Sequence, residues 1–240
     1  MINRIKKIFS EYYNTQKKAA ADTEELLWAH IYHDSIRGKS WLQNLSLNVG
    51  RWAGNYTFFY VLNRILNDYK PNSVLEFGLG ESSKFISVYI DNELKETSHD
   101  IIEQSQDWAN AFKKRFTLSK KSSVLICPLI EKEIKGYKVN GYADIESKVN
   151  KLYDLYVVDG PFGSPHFSRY DIVDLVAQFP KEHEFVILMD DYQREGERET
   201  AKVIVNLLRE KGIAHYTKKY AGNKSLLLIV SEKYKYLKSL

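Results

Sequence analysis

Residues 73–83 read Ser-Val-Leu-Glu-Phe-Gly-Leu-Gly-Glu-Ser-Ser. Ser73 to Phe77 is a short apolar strand carrying one acid, Glu76, and it breaks into a turn at Gly78 and Gly80 before a helix that starts near Ser82. Glycine lets the backbone approach a ligand closely, and the first turn of a helix offers N–H groups with no intrahelical partner. A nucleotide-like cofactor is the natural occupant of such a turn.

Outward from this stretch the chain alternates. Helix Ser82–Asn92, strand Ser98–Glu103, helix Ser105–Phe116 and strand Ser122–Cys127 follow, then an irregular insert from Glu131 to Lys151, rich in Lys, Gly and Tyr. The alternation resumes with strand Leu155–Val158, helix Arg169–Phe179, strand Phe185–Met189 and helix Glu195–Lys211, and two strands near Ala214–Lys219 and Ser225–Val230 close it. Only Tyr220-Ala-Gly-Asn-Lys224 separates that last pair, which reads as a hairpin whose final strand runs antiparallel to its neighbour. The pattern predicts an α/β fold: a Rossmann-like, doubly wound, mostly parallel seven-stranded sheet with an antiparallel last strand and ligands at the carboxyl ends of its strands.

Upstream, Ile2, Ile5, Ile8, Phe9, Tyr12 and Tyr13 recur at helical spacing among Arg4, Lys6 and Lys7, a basic amphipathic helix. Its apolar stripe would pack on the domain, on a second subunit of a homodimer, or on an anionic membrane surface. A second helical pattern runs from Thr23 to Ser35, a polar linker from Asn44 to Gly54, and an apolar helix from Tyr56 to Tyr69, stopped by Pro71. Residues 1–50 are therefore expected to be a helical extension and 51–240 a Rossmann-like domain.

The 240 residues are 44% hydrophobic and 28% charged, ordinary for one sizeable core. Thirty-five basic against 31 acidic residues give only +4, spread along the chain, which argues against a nucleic-acid partner. A single cysteine, Cys127, excludes an intrachain disulfide and a Cys-based metal cluster. With no membrane-length apolar run and no signal-peptide pattern at Met1–Tyr13, the expected location is cytoplasmic, with peripheral contact at the inner face of a membrane if the first helix docks there.

Two cofactor readings compete for the glycine turn. A dinucleotide fingerprint wants a third glycine where this chain has Ser83, and Glu76 would add negative charge beside a pyrophosphate. An acid there suits a cationic ligand. The segment Val74-Leu-Glu-Phe-Gly-Leu-Gly80 resembles the first motif of class I S-adenosylmethionine-dependent methyltransferases, departing at Ser82 from the fuller Gly-x-Gly-x-Gly form. The resemblance implies that Glu76, Gly78, Gly80 and Ser82 lie under the methionine portion of S-adenosylmethionine and that Glu103 accepts hydrogen bonds from both ribose hydroxyls. It also implies that Cys127 and Leu129 line the adenine pocket.

A second cluster, Tyr156-Val-Val-Asp159-Gly-Pro-Phe-Gly163, is followed 31 residues after its acid by Asp190-Asp191-Tyr192. If their strands are neighbours, about 4.8 Å apart, the three acids converge and something positive, or a shared proton, must sit among them. Mg²⁺ (or Mn²⁺) is the simplest candidate. Over roughly residues 71–232 the order of motifs resembles metal-dependent O-methyltransferases, with the Asp-Asp-Tyr wording similar to macrocin-type sugar enzymes and Glu-Phe-Gly-Leu-Gly and Val-Asp-Gly-Pro to plant glucuronoxylan methyltransferases. The resemblance implies methyl transfer to a hydroxyl of a saccharide or other small polar acceptor, with Asp159, Asp190 and Asp191 as metal ligands and Asp159 in the catalytic centre.

The lysine that catechol-type enzymes place after the first metal acid is absent, so His166 is proposed as base or substrate ligand. Arg169 and Arg194 are candidates to grip an acceptor's carboxylate or phosphate, and Arg51 and Trp52, in Gly50-Arg-Trp-Ala-Gly-Asn-Tyr56, to form a lid. Against these stand duller readings: helix capping by the aspartates, surface arginines, an idle loop histidine, and Trp52 stapling the incoming helix to the core. Two further classes compete, polyamine aminopropyl transfer and a non-catalytic interaction module at a membrane surface; the convergent acids argue against the second.

Overall fold

A computed structural model describes residues 2–50 and 52–240, with side chains described from Lys6 onward. The chain opens with one helix, α1 (Ile2–Ser35), rather than two, because residues 14–22 contain neither glycine nor proline to break it. A turn of helix, α2 (Ser40–Gln43), leads through the linker to α3 (Tyr56–Tyr69), which Asn55 caps by accepting a hydrogen bond from the Phe58 N–H at 3.1 Å. The alternation then runs β1 (Ser73–Phe77), α4 (Glu81–Asn92), β2 (Ser98–Glu103), α5 (Gln106–Lys113) and β3 (Ser122–Ile126).

The segment expected to be irregular holds a hairpin, β4 (Leu129–Ile134) and β5 (Tyr137–Tyr142), and a turn of helix, α6 (Ile145–Lys148). Its two-residue turn, Lys135-Gly136, has φ +52° and +83°, the paired positive φ of a tight hairpin. Then come β6 (Leu155–Val158), α7 (Asp171–Ala177), β7 (Val186–Met189), α8 (Glu195–Glu210), β8 (His215–Ala221) and β9 (Ser225–Ser231), with a closing 3₁₀ turn at Glu232–Ser239.

The main sheet has seven strands in the order β3-β2-β1-β6-β7-β9-β8, parallel except that β9 runs antiparallel between β7 and β8. The Rossmann-like α/β class expected from the alternation is the one observed. Successive strand residues face opposite layers. Val74, Val157 and Leu188 pack with α3, α4 and the second half of α1, whereas Leu75, Phe77, Val158 and Ile187 pack with α7 and α8. Tyr32 and Ile36 belong to the first of these cores, and the Trp28 indole N–H donates to the Ala221 carbonyl at 2.9 Å. Side chains 6–20 are by contrast all exposed. Among the described residues no helix is long and apolar enough to cross a membrane.

This order puts the topological switch between β1 and β6, because the chain winds outward through β2 and β3 and then returns to the other side of β1. Ligands of such sheets bind in the crevice at that point.

Candidate active site

On one side of the switch stands the glycine turn. Gly78 has φ +97°, and a Cβ there would press 3.4 Å from the Asp159 carbonyl; at Gly160 it would lie 2.4 Å from the Tyr142 hydroxyl and 3.0 Å from the Gly78 nitrogen. The two loops are thus in backbone contact across the crevice. At Gly80, the N-cap of α4, an added Cβ would meet open space, so the backbone there is uncrowded.

Glu103, at the end of β2, is buried; its carboxylate accepts from the Leu79 N–H at 3.0 Å and the Ser105 N–H at 2.7 Å. Burial pushes its pKa up, against the pull of those N–H groups. Trp108, on α5, donates its indole N–H to the Leu79 carbonyl at 2.7 Å, so both polar groups of Leu79 are held from the β2 side. Glu76 is fully buried beneath the turn, bonded to the Ser82 hydroxyl and 3.0 Å from Nε2 of His99, whose Nδ1 meets Ser122 at 3.0 Å. Glu76 and Ser82 therefore brace the turn from inside. Gln104 Oε1, next to Glu103, is buried without a hydrogen-bond partner, an acceptor open to a donating ligand. An open backbone at Gly80, a buried carboxylate and this orphan acceptor fit an adenosine-bearing cofactor.

On the other side of the switch, β6 and β7 are parallel neighbours with Val158 opposite Met189. Asp159 and the Asp190-Asp191 pair leave the sheet together, with one ligand oxygen of each within 4.8 Å of the others. The positive charge among them is Arg169. Nη2 lies 3.0 Å from Asp159 Oδ1 and 2.8 Å from Asp191 Oδ2, while Nη1 donates to the carbonyls of Val158 at 3.2 Å and Asp190 at 3.0 Å. Arg169 is neither a surface residue nor part of α7. It precedes that helix, is 4% exposed and has φ +58°, as does Asp191. A left-handed non-glycine residue costs about 1–2 kcal/mol, and here the ion pairs and carbonyl bonds hold two of them in place.

Lys224, just before β9, stands 3.7 Å from Asp190 and 3.6 Å from Asp191; Arg194 lies 3.1 Å from Asp191, and both arginines approach buried Glu197, at 3.8 and 3.7 Å. Four acids (Asp159, Asp190, Asp191, Glu197) therefore face three cations (Arg169, Arg194, Lys224), one negative charge in excess. One proton balances it. Burial pushes Asp159 up to about 8, opposed by Arg169 and reinforced by the like charges of Asp190 and Asp191; burial raises Asp190 too, whereas Arg169, Lys224 and Arg194 hold Asp191 low.

A divalent cation fits this set poorly. Both oxygens of buried Asp190 lack hydrogen-bond partners, which would suit a metal, but Mg²⁺ needs oxygens at about 2.0–2.1 Å in octahedral array. The space between the facing oxygens of Asp159 and Asp191 is filled by Nη2 of Arg169. That guanidinium is in turn pinned by the carbonyls at the ends of β6 and β7.

Of the other residues singled out in the sequence, His166 has Nδ1 3.2 Å from Glu199 and its ring 4.1 Å from that of Tyr137, so it ties the loop to α8 and the β4–β5 hairpin. Arg194 is half exposed on the rim of the acid cluster. Trp52 is 92% exposed and staples nothing; Arg51 lies outside the described residues. The linker around Trp52 bridges the two ends of the site: the Asn48 N–H donates to Glu81 beside Gly80, and Lys224 donates to the Ala53 carbonyl at 2.9 Å. Cys127 is buried with Ile102 and Tyr142, and Leu129 begins the hairpin, 38% exposed. No pattern in the sequence marks Lys224, Glu197, Trp108 or His99 as site residues. Only the insertion of β9 beside β7 brings Lys224 to Asp190, and no local pattern marks it.

No protein-family model matches the chain, and no curated protein does. Solved structures do resemble it. An O-methyltransferase of tomaymycin synthesis from Streptomyces achromogenes, in complex with S-adenosylmethionine, is 13% identical over 83% of this chain and 88% of its own, with a TM-score of 0.49. A Podospora anserina methyltransferase bound to S-adenosylhomocysteine is 11% identical over 85% and 87%, with a TM-score of 0.44. A Bacillus cereus O-methyltransferase, also with S-adenosylhomocysteine, is 13% identical over 84% and 90%, with a TM-score of 0.42.

Proposed function

We propose that this protein is an S-adenosylmethionine-dependent O-methyltransferase acting on a hydroxyl of a saccharide or another small polar acceptor. The observation that carries the reading is the meeting, at one topological switch, of a bare glycine turn latched to a buried Glu103 with an acid cluster across the Gly78–Gly160 contact. Bound over the turn, S-adenosylmethionine supplies an electrophilic methyl group on a sulfonium sulfur. Glu103 retains lone pairs for the ribose hydroxyls. Asp159, the most exposed of the three acids with 19% of its side chain accessible, is the one an acceptor hydroxyl reaches. Its carboxylate takes the hydroxyl proton as the oxygen forms its bond to carbon. Arg169 and the strand ends keep that carboxylate in position.

The divalent cation expected from the sequence does not enter this reading, because Arg169 stands between two of its three ligands. The surface most suited to a lid is the linker that carries exposed Trp52, bonded to Glu81 through Asn48 and to Lys224 through Ala53. Exposed Ile8, Phe9, Tyr12 and Tyr13, with Lys6 and Lys7 beside them, favour peripheral contact of α1 with an anionic membrane.

Calorimetric titration of S-adenosylmethionine tests the core of the proposal. Micromolar binding is expected in the wild type and in Asp159→Asn, and at least about tenfold weaker binding (~1.4 kcal/mol) in Glu103→Gln. No binding by the wild type would overturn it.

A further inference from the structure

The acid cluster poses a question of charge: which cation serves it. Three carboxylates from two adjacent strand ends would ordinarily call for a metal. Here the space between two of them is already filled. Arg169 reaches in from the loop before α7, and its Nη2 bridges Asp159 and Asp191 while its Nη1 closes on the carbonyls of Val158 and Asp190. The guanidinium therefore bonds both the strand ends and the acids they carry. Its planar fork suits this arrangement, which a lysine's point charge would not reproduce. Lys224 and Arg194 add charge at the two flanks.

We propose that Arg169 is the resident cation of this site, occupying the place of a divalent metal, so that the protein needs none. Arg169 acts as a positioning residue: one nitrogen, Nη2, bonds both Asp159 and Asp191 and fixes them relative to each other, leaving Asp159 to handle the acceptor's proton. The assignment of the cation stands on geometry alone; its meaning for catalysis rests on the methyl-transfer reading.

The test is binding of Mn²⁺, followed by its electron paramagnetic resonance signal, to the wild type, to Arg169→Met and to Arg169→Met/Asp190→Asn. The wild type should show no stoichiometric site at millimolar metal. Arg169→Met, which empties the place without removing an acid, should gain one, with a Kd at least about tenfold below the metal concentration at which the wild type stays empty, and lost again in the double variant. Its melting temperature should rise with added Mn²⁺ while that of the wild type stays level, because a ligand stabilises the folded state that binds it.

Stoichiometric Mn²⁺ on the wild type, abolished by Asp190→Asn, would overturn the proposal even if Arg169→Met failed to fold. A folded Arg169→Met that gained no site would overturn it as well. S-adenosylmethionine titrated into the same wild-type sample separates the two readings: no cofactor binding together with no metal site would sink the function and leave the resident cation standing.

Discussion

Burial pushes the Asp159 carboxyl up to about 8, against an ordinary 3.8, so between those values the folded chain holds a proton that the unfolded chain has released. Stability then falls as pH rises across that window, since the folded state is the one binding more protons. The contribution is fully present below about pH 4 and lost as the pH passes about 8. Asp159→Asn should flatten this slope in urea midpoints measured from about pH 4 to about pH 8, and an unchanged slope would place the proton elsewhere. Catalysis should respond with the opposite sign, because a base must be unprotonated to act: kcat/KM should climb toward about pH 8. At the same scale, the Gly78 and Gly160 contacts show why these loops read as they do, since a side chain at position 160 would strike Tyr142 and the Gly78 backbone.

Two elements fix the walls of the site. The second half of α1 is pinned where Glu25 accepts from Asn55 Nδ2 at 2.7 Å, the Tyr56 N–H at 2.7 Å and the Asn223 N–H at 3.1 Å, joining the linker, the start of α3 and the β8–β9 turn. Deleting this carboxylate would take the acceptor from the Tyr56 and Asn223 N–H groups, while Asn55 Nδ2 keeps Asn223 Oδ1 at 3.2 Å, and Glu25→Ala should cost about 2 kcal/mol and speed hydrogen exchange in α1, measured by mass spectrometry after a urea titration. The other wall is the β4–β5 hairpin, where Lys132 on β4 reaches Asp171 of α7 at 2.6 Å and Tyr137 on β5 meets His166. Its alternating residues around Lys135-Gly136 carried a hairpin signal. The Lys, Gly and Tyr content of the segment masked it, because composition marks loops while only periodicity marks strands.

Across the whole molecule, the α1 side chains around Trp28 and Tyr32 pack with the core, whereas side chains 6–20 do not. Removing residues 1–20 should leave the urea midpoint unchanged, since side chains 6–20 bury nothing, and should abolish binding to anionic vesicles in a sedimentation assay; vesicle binding that survived would remove the membrane role from α1. Strand and helix periods made the alternation, the parallel sheet, the antiparallel ending and the two loops at its carboxyl edge legible from the chain alone, because burial on one or both faces leaves a local imprint at spacings of 2 and 3.6 residues. Glu103 and Asp159 were legible for the same reason, each lying just at the end of a readable strand. Local patterns also showed that, were their strands neighbours, the acids would need something positive or a shared proton among them. Which partner it is was decided only by tertiary structure: Arg169 lies 10 residues from Asp159 and 22 from Asp191, and Lys224 arrives through β9 pairing with β7. Electrostatic partners are chosen by distance in space, and no spacing along a chain encodes that distance.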